Sequence, residues 1–197
     1  SSMSASMTLL YVFALPAATR PLPEQDDSMR RVGTLDIPLA LYNIYVAETD
    51  ELLRTLERDF GEWRHEPGRE VTLDALKAVH TLAGTSATVG FDALHDLAQA
   101  LETTLEHLGE PAPLLDAAQH DVLDAVLARV RDMLQAFARG ELAPGQPELL
   151  EALATLRARF TAQQADDLYG DVPQDLAQRL DALFADTYDS LMADPPP

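Results

Sequence analysis

Apolar residues recur every three or four positions through most of this chain, the spacing a helix needs to turn one side toward a core. Tyr42, Tyr45, Leu52, Leu56, Phe60 and Trp63 keep that period. So do Val79, Leu82, Ser86 and Val89, then Leu94, Leu97, Leu101, Leu105 and Leu108, then Val122, Val126, Val130, Met133 and Phe137. Two later stripes are Leu149, Leu153, Leu156 and Phe160, and Leu176, Leu180, Leu183 and Leu191. No alternating run reaches convincing strand length. Short breaks between the stripes favour antiparallel neighbours. The fold expected is all-α: an antiparallel up-down four-helix bundle with additional flanking helices.

Punctuation residues set the expected boundaries. Residues 16–34, rich in proline and charge, read as a loop. Asp36 reads as an N-cap with Pro38 in the first turn. Pro67 and Gly68 in "HEPGRE" stop the first helix, and Thr72 opens the second. Gly90 ends the second as a left-handed cap, and Asp92 starts the third. "GEPAP" is a turn, the fourth helix stops at Gly140, and "DDLYGDVP" separates the last two helices. The organisation is thus an N-terminal extension over 1–34, a bundle over 35–140, and a C-terminal helical extension and linker over 141–197.

At 197 residues the chain suits one domain with an appended segment, and 47% hydrophobic residues supply a core. Thirty-three Asp and Glu against 14 Lys and Arg leave a net charge of -19, which repels nucleic acid and anionic lipid. Neither class is expected as a partner. Absence of cysteine removes disulfides and thiolate metal sites and is compatible with a cytoplasmic location. The run "TLLYVFALPAA" is too short to span a bilayer. It is expected to pack on the bundle or a neighbour. A signal-peptide core is the lesser reading, because no positive charge precedes it. "ADPPP" at the far end reads as linker.

The stretch "HTLAGTSATVGF" (80–91) carries the functional signal. With Val79, Leu82, Ser86 and Val89 inward, Lys77, His80 and Gly84 fall on the outer side. A mid-helix glycine costs roughly 1 kcal/mol against alanine. Placed one turn from His80, it lets another protein approach the imidazole. Thr81, Thr85 and Thr88 add small polar groups. The third helix brings a polar stripe of His95, Gln99, Glu102 and Glu106 alongside. A carboxylate such as Glu102 accepting one ring N–H would fix the tautomer and leave the other nitrogen as a nucleophile.

These residues resemble the signature of histidine-containing phosphotransfer (HPt) domains: His, any residue, Leu, usually Lys, Gly, then five residues and Gly. His80, Leu82, Gly84 and Gly90 match. "FDALHDLAQALETTLEHL" is similar to the third helix of the phosphotransfer domain of chemotaxis histidine kinases, with Glu102 at the place of the glutamate that bonds the histidine. "YNIYVAETDELLRTL" resembles the family's first helix. The likeness covers about 36–139, and its flavour is closest to kinases of type IV pilus chemotaxis-like systems.

The resemblance implies a phosphorelay module with His80 as phosphoacceptor and Glu102 as its hydrogen-bond partner. It implies a docking surface of Lys77, Thr81, Ala83, Gly84, Ala87, Thr88 and Gln99, with Gly90 structural. The implied partners are a response-regulator receiver domain and a histidine kinase catalytic domain. No cofactor is expected in this chain, and Mg²⁺ belongs to the receiver. The family's usual Lys is Ala83 here, which keeps open a degenerate interaction domain that binds without transfer. No phosphate-cradling glycine loop occurs, so the chain is not expected to take phosphate from ATP. Glu62 with His65 and Asp92 with His95 have di-iron-like spacing, but the further ligands such a site needs are not evident. His107 and His120 read as solvated surface residues, and no metal site is expected.

Overall fold

The computed structural model describes residues 28–109, 112–169 and 174–193. Among them are two strands, β1 (Met29–Val32) and β2 (Leu35–Pro38). Six helices follow: α1 (Leu39–His65), α2 (Leu73–Thr88), α3 (Asp92–Glu106), α4 (Ala117–Ala138), α5 (Pro147–Tyr169) and α6 (Gln174–Met192). The chain is therefore predominantly helical. The apolar run near the N-terminus and the final prolines lie outside the described residues. The chain divides into two compact units, Ser1–Phe160 and Thr161–Pro197, so the division falls inside α5 and the first unit runs past residue 140.

In the first unit α1 packs on α2 and α4, α2 on α3, and α3 on α4, closing a ring of four helices around one core. Tyr45, Leu56, Val79, Leu82, Leu94, Leu97, Leu101, Val126, Val130, Phe137 and Phe160 are buried, as their periodicity requires. Val122 and Leu149 are only partly covered. Phe137 stacks on Phe91 and meets Tyr45 edge to face, so α1, the α2–α3 corner and α4 converge on one aromatic cluster. Inside it Tyr45 Oη and Ser86 Oγ share a buried hydrogen bond of 2.7 Å between α1 and α2.

A hairpin stands where a loop was expected. β1 and β2 pair antiparallel, with Val32 opposite Leu35 and Arg30 opposite Ile37. Gly33 has φ +56°, the left-handed geometry that a two-residue hairpin turn favours. Val32 and Ile37 are buried. Each strand has only four residues, and adjacent arginines in "MRRV" mask the alternation. Asp36 is consequently a strand residue, paired with Arg31 across the hairpin. The residue before α1 is Pro38, with no side-chain cap. The hairpin is tied to the end of α4. Gly33 N–H donates to the Gly140 carbonyl at 3.0 Å, and both Arg30 and Tyr42 donate to the Ala138 carbonyl.

Caps fix the helices that carry the site. Thr72 Oγ1 accepts from Ala75 N–H at 3.1 Å and starts α2. At its end Phe91 N–H reaches the Ser86 carbonyl across Gly90, whose φ is +86°. This is the glycine-terminated helix end that the sequence suggested. Asp116 and Gln119 form a reciprocal capping box at the start of α4.

The α1–α4 seam is held by charge. Arg64 donates to Asp121 and Asp124 at 2.6 Å each, and Arg131 to Glu57 at 2.5 Å and Asp50 at 3.4 Å. Hydrogen bonds donated to these carboxylates push both guanidinium pKa values further up. His120, expected on the surface, is instead buried edge-on against Trp63, ring centroids 5.1 Å apart, with Nε2 unpartnered. Helical spacing could not show this, because burial comes from the end of α1. Desolvation, then the charge of Arg64, hold its pKa below the ordinary imidazole value.

In the second unit Leu176, Leu180, Leu183 and Leu191 of α6 keep the helical stripe expected of them, and all are exposed.

Candidate functional site

α2 has two sides with opposite demands. Ala75, Val79, Leu82 and Ser86 face the core, while Lys77, His80, Gly84 and Ala87 face solvent. Three of the poor helix formers of 80–91, Thr85, Ser86 and Thr88, find a backbone or side-chain partner. Thr85 Oγ1 donates to the Thr81 carbonyl at 2.8 Å and Thr88 Oγ1 to the Gly84 carbonyl at 2.9 Å. Thr85 is therefore buried rather than flanking the open face. A Cβ built on Gly84 meets nothing within 4 Å, so the space above it is open.

His80 projects from this face with its side chain 77% exposed, and its Nδ1 lies 2.6 Å from Glu102 Oε2 on α3. Glu102 is only 18% exposed. A carboxylate can only accept, so the bond puts the proton on Nδ1 and leaves Nε2 with its lone pair toward solvent. A short charge-assisted contact of this kind holds the ring at one angle. Gln99, one turn from Glu102, is exposed, and Thr81 and Thr88 are half-buried at the edges of the open face.

Ala83 does not belong to that face. It is 5% exposed, and its carbonyl accepts from His95 Nδ1 at 2.9 Å. It is therefore the one buried residue among those expected on the docking face. The His95 contact was not legible in the sequence, where His95 was one member of a polar stripe. His107 is exposed and bonds the Thr103 carbonyl within its own helix. Glu62 and His65 are exposed at the end of α1, and among the described residues no three His, Asp or Glu side chains gather for a metal ion.

A family model described as "Hpt domain" matches residues 40–140, just over half the chain. The chain belongs to the Hpt domain family. Its matched span begins in α1 and ends just past α4, enclosing the ring of four helices and both partners of the His80–Glu102 pair. The Hpt chain is also 22% identical over 129 residues to the chemotaxis protein CheA of Listeria monocytogenes serovar 1/2a (strain ATCC BAA-679 / EGD-e). That alignment covers 65% of this chain and 21% of the Listeria protein. No solved structure matches. Among the described residues of this Hpt protein no helix is long and apolar enough to cross a membrane.

Proposed function

We propose that this chain is the histidine phosphotransfer module of a two-component phosphorelay, with His80 as phosphoacceptor and Glu102 as the residue that orients it. The observation that carries the reading is the exposed imidazole held through Nδ1 by a largely shielded carboxylate, beside an open glycine. The scaffold is read as an up-down four-helix bundle over 35–140, preceded by an extension (1–34) and followed by a helical extension (141–197).

The chemistry follows from the tautomer. The Nε2 lone pair attacks the phosphorus of a receiver's aspartyl phosphate. The N–P bond forms as the acyl O–P bond breaks, and the aspartate leaves as a carboxylate. Nδ1 keeps its proton, so the phosphorylated ring gains cationic character that the Glu102 carboxylate balances. The reverse sequence returns the group. Mg²⁺ belongs to the receiver, where it neutralises the phosphoryl oxygens. Lys77, Thr81, Gly84, Ala87, Thr88 and Gln99 form the docking face for the receiver and for the kinase catalytic domain that charges the module. Membership in a chemotaxis-type hybrid kinase of a type IV pilus-like system, in the cytoplasm, is the wider setting we infer; the alignment with a CheA and the flavour of 78–91 support the kinase setting.

A binding role without transfer rests on Ala83, where the family usually has lysine. One experiment separates the two. Incubation with a phosphorylated receiver and Mg²⁺ should place acid-labile, base-stable label on the chain, lost in His80→Gln. A chain that binds the receiver but takes no label would leave the interaction domain. Label that survives His80→Gln would remove His80 from the role.

A further inference from the structure

The second unit poses a problem that the phosphotransfer reading does not touch. On α6, Leu176, Leu180, Leu183, Phe184, Tyr188 and Leu191 are between 41% and 79% exposed. At 100° per residue they occupy one arc of roughly 140°. Scattered surface leucines need no explanation, but a contiguous apolar stripe on one helix does. A helix of 19 residues without tertiary packing is also only marginally stable in water. Something that covers the stripe would stabilise the helix and remove the patch together.

Charge selects the occupant. The helix carries Asp175, Asp181, Asp186 and Asp189 against the single cation Arg179. Helices that lie on anionic membranes carry lysine and arginine on the polar side, so this one is repelled there. Arg179 and Asp186 lie seven residues apart along the same edge of the stripe. When two such helices run antiparallel about a two-fold axis near residues 182–183, Arg179 of each copy comes level with Asp186 of the other. Leu176 of each then meets the Tyr188–Leu191 end of the other, and Leu183 sits at the centre. Parallel pairing in register instead brings Arg179 level with Arg179 and Asp186 level with Asp186.

We propose that α6 is a self-association helix, pairing antiparallel with α6 of a second copy through its leucine stripe and two Arg179–Asp186 pairs. The pairing is isologous, so it closes at a dimer. Sedimentation equilibrium of the full 197-residue chain from about 1 to 100 µM tests it. A concentration-dependent dimer is expected, absent in the Leu180→Asp/Leu183→Asp variant, whose first unit still melts as before. Arg179→Asp should weaken dimerisation severalfold, and Arg179→Asp/Asp186→Arg should restore it. Added salt should not dissociate the seam, since the net charge of -19 on each copy opposes association. A wild-type chain that stays monomeric through this range overturns the proposal. So does a dimer that survives the double aspartate variant, or a monomer that binds phosphatidylcholine vesicles through α6.

Discussion

The α1–α4 seam and the α2–α3 seam of the same ring are built in opposite ways. Along α1–α4, two arginines reach four carboxylates, and a histidine is pressed under Trp63 with one nitrogen unpartnered. Along α2–α3 the histidine stands in solvent, its one carboxylate partner is largely shielded, and Gly84 one turn on has no side chain. The first arrangement joins helices. The second leaves a nitrogen accessible and fixes its direction. The same residue type is thus a packing element in one seam and a presented group in the other, and partners rather than residue type make the difference.

The largest expected break in this contrast is at Gly84. Because the space above it is open, Gly84→Gln should nearly abolish transfer from a phosphorylated receiver while the melting temperature holds. Gly84→Ala should keep or raise stability, by up to about 1 kcal/mol, with weaker transfer. A fall in melting temperature for both would make Gly84 a packing residue like those of the other seam. Next is Glu102→Ala. Losing a charge-assisted hydrogen bond of about 1.5–3 kcal/mol should slow transfer roughly tenfold or more without changing helix content. Unaltered rates would show that the imidazole needs no orienting partner.

Ala83→Lys sharpens the boundary between the seams. Ala83 is 5% exposed, so a lysine there must displace what packs around its methyl group, and the variant should lose about 1–3 kcal/mol in denaturant unfolding. Wild-type stability together with faster transfer would show that the lysine reaches solvent after all. The smallest effect is expected from His120. Its folded pKa is depressed, so the unfolded chain binds the proton more readily. The stability it contributes is complete above the unfolded value near 6.5 and is lost as pH falls through the folded pKa. Melts between pH 7.5 and 5 should therefore fall less steeply in His120→Phe than in the wild type. Identical slopes would separate His120 from acid sensitivity.

The stripes of α1 and α3, the Thr72 and Gly90 helix ends, and the placement of His80, Gly84 and Glu102 were legible in the sequence, because each depends on spacing within one helix or on a turn residue with one conformational use. What escaped depends on a neighbour. The hairpin needs the end of α4 to hold it. Asp36 became a strand residue because the hairpin claimed it before α1 began. Ala83's carbonyl is taken by His95 of α3, and His120 is covered from α1. On α6 the periodicity was right and what it packs on stayed open, since a stripe shows that a helix has an apolar side without showing what lies against it.

The knot between the hairpin and the end of α4 has a mechanical consequence. Gly33 is bonded to Gly140, and Arg30 and Tyr42 hold Ala138, so residues 30–33 and 138–140 meet at one point of the molecule. A pull applied on either side of residues 30–140 loads those few bonds first. The tension bypasses α2 and α3, and the distance between His80 and Glu102 stays set by helix packing while the flanking chain is tugged. A module clasped in this way can be strung on a longer, moving polypeptide without its reactive nitrogen being dragged out of line.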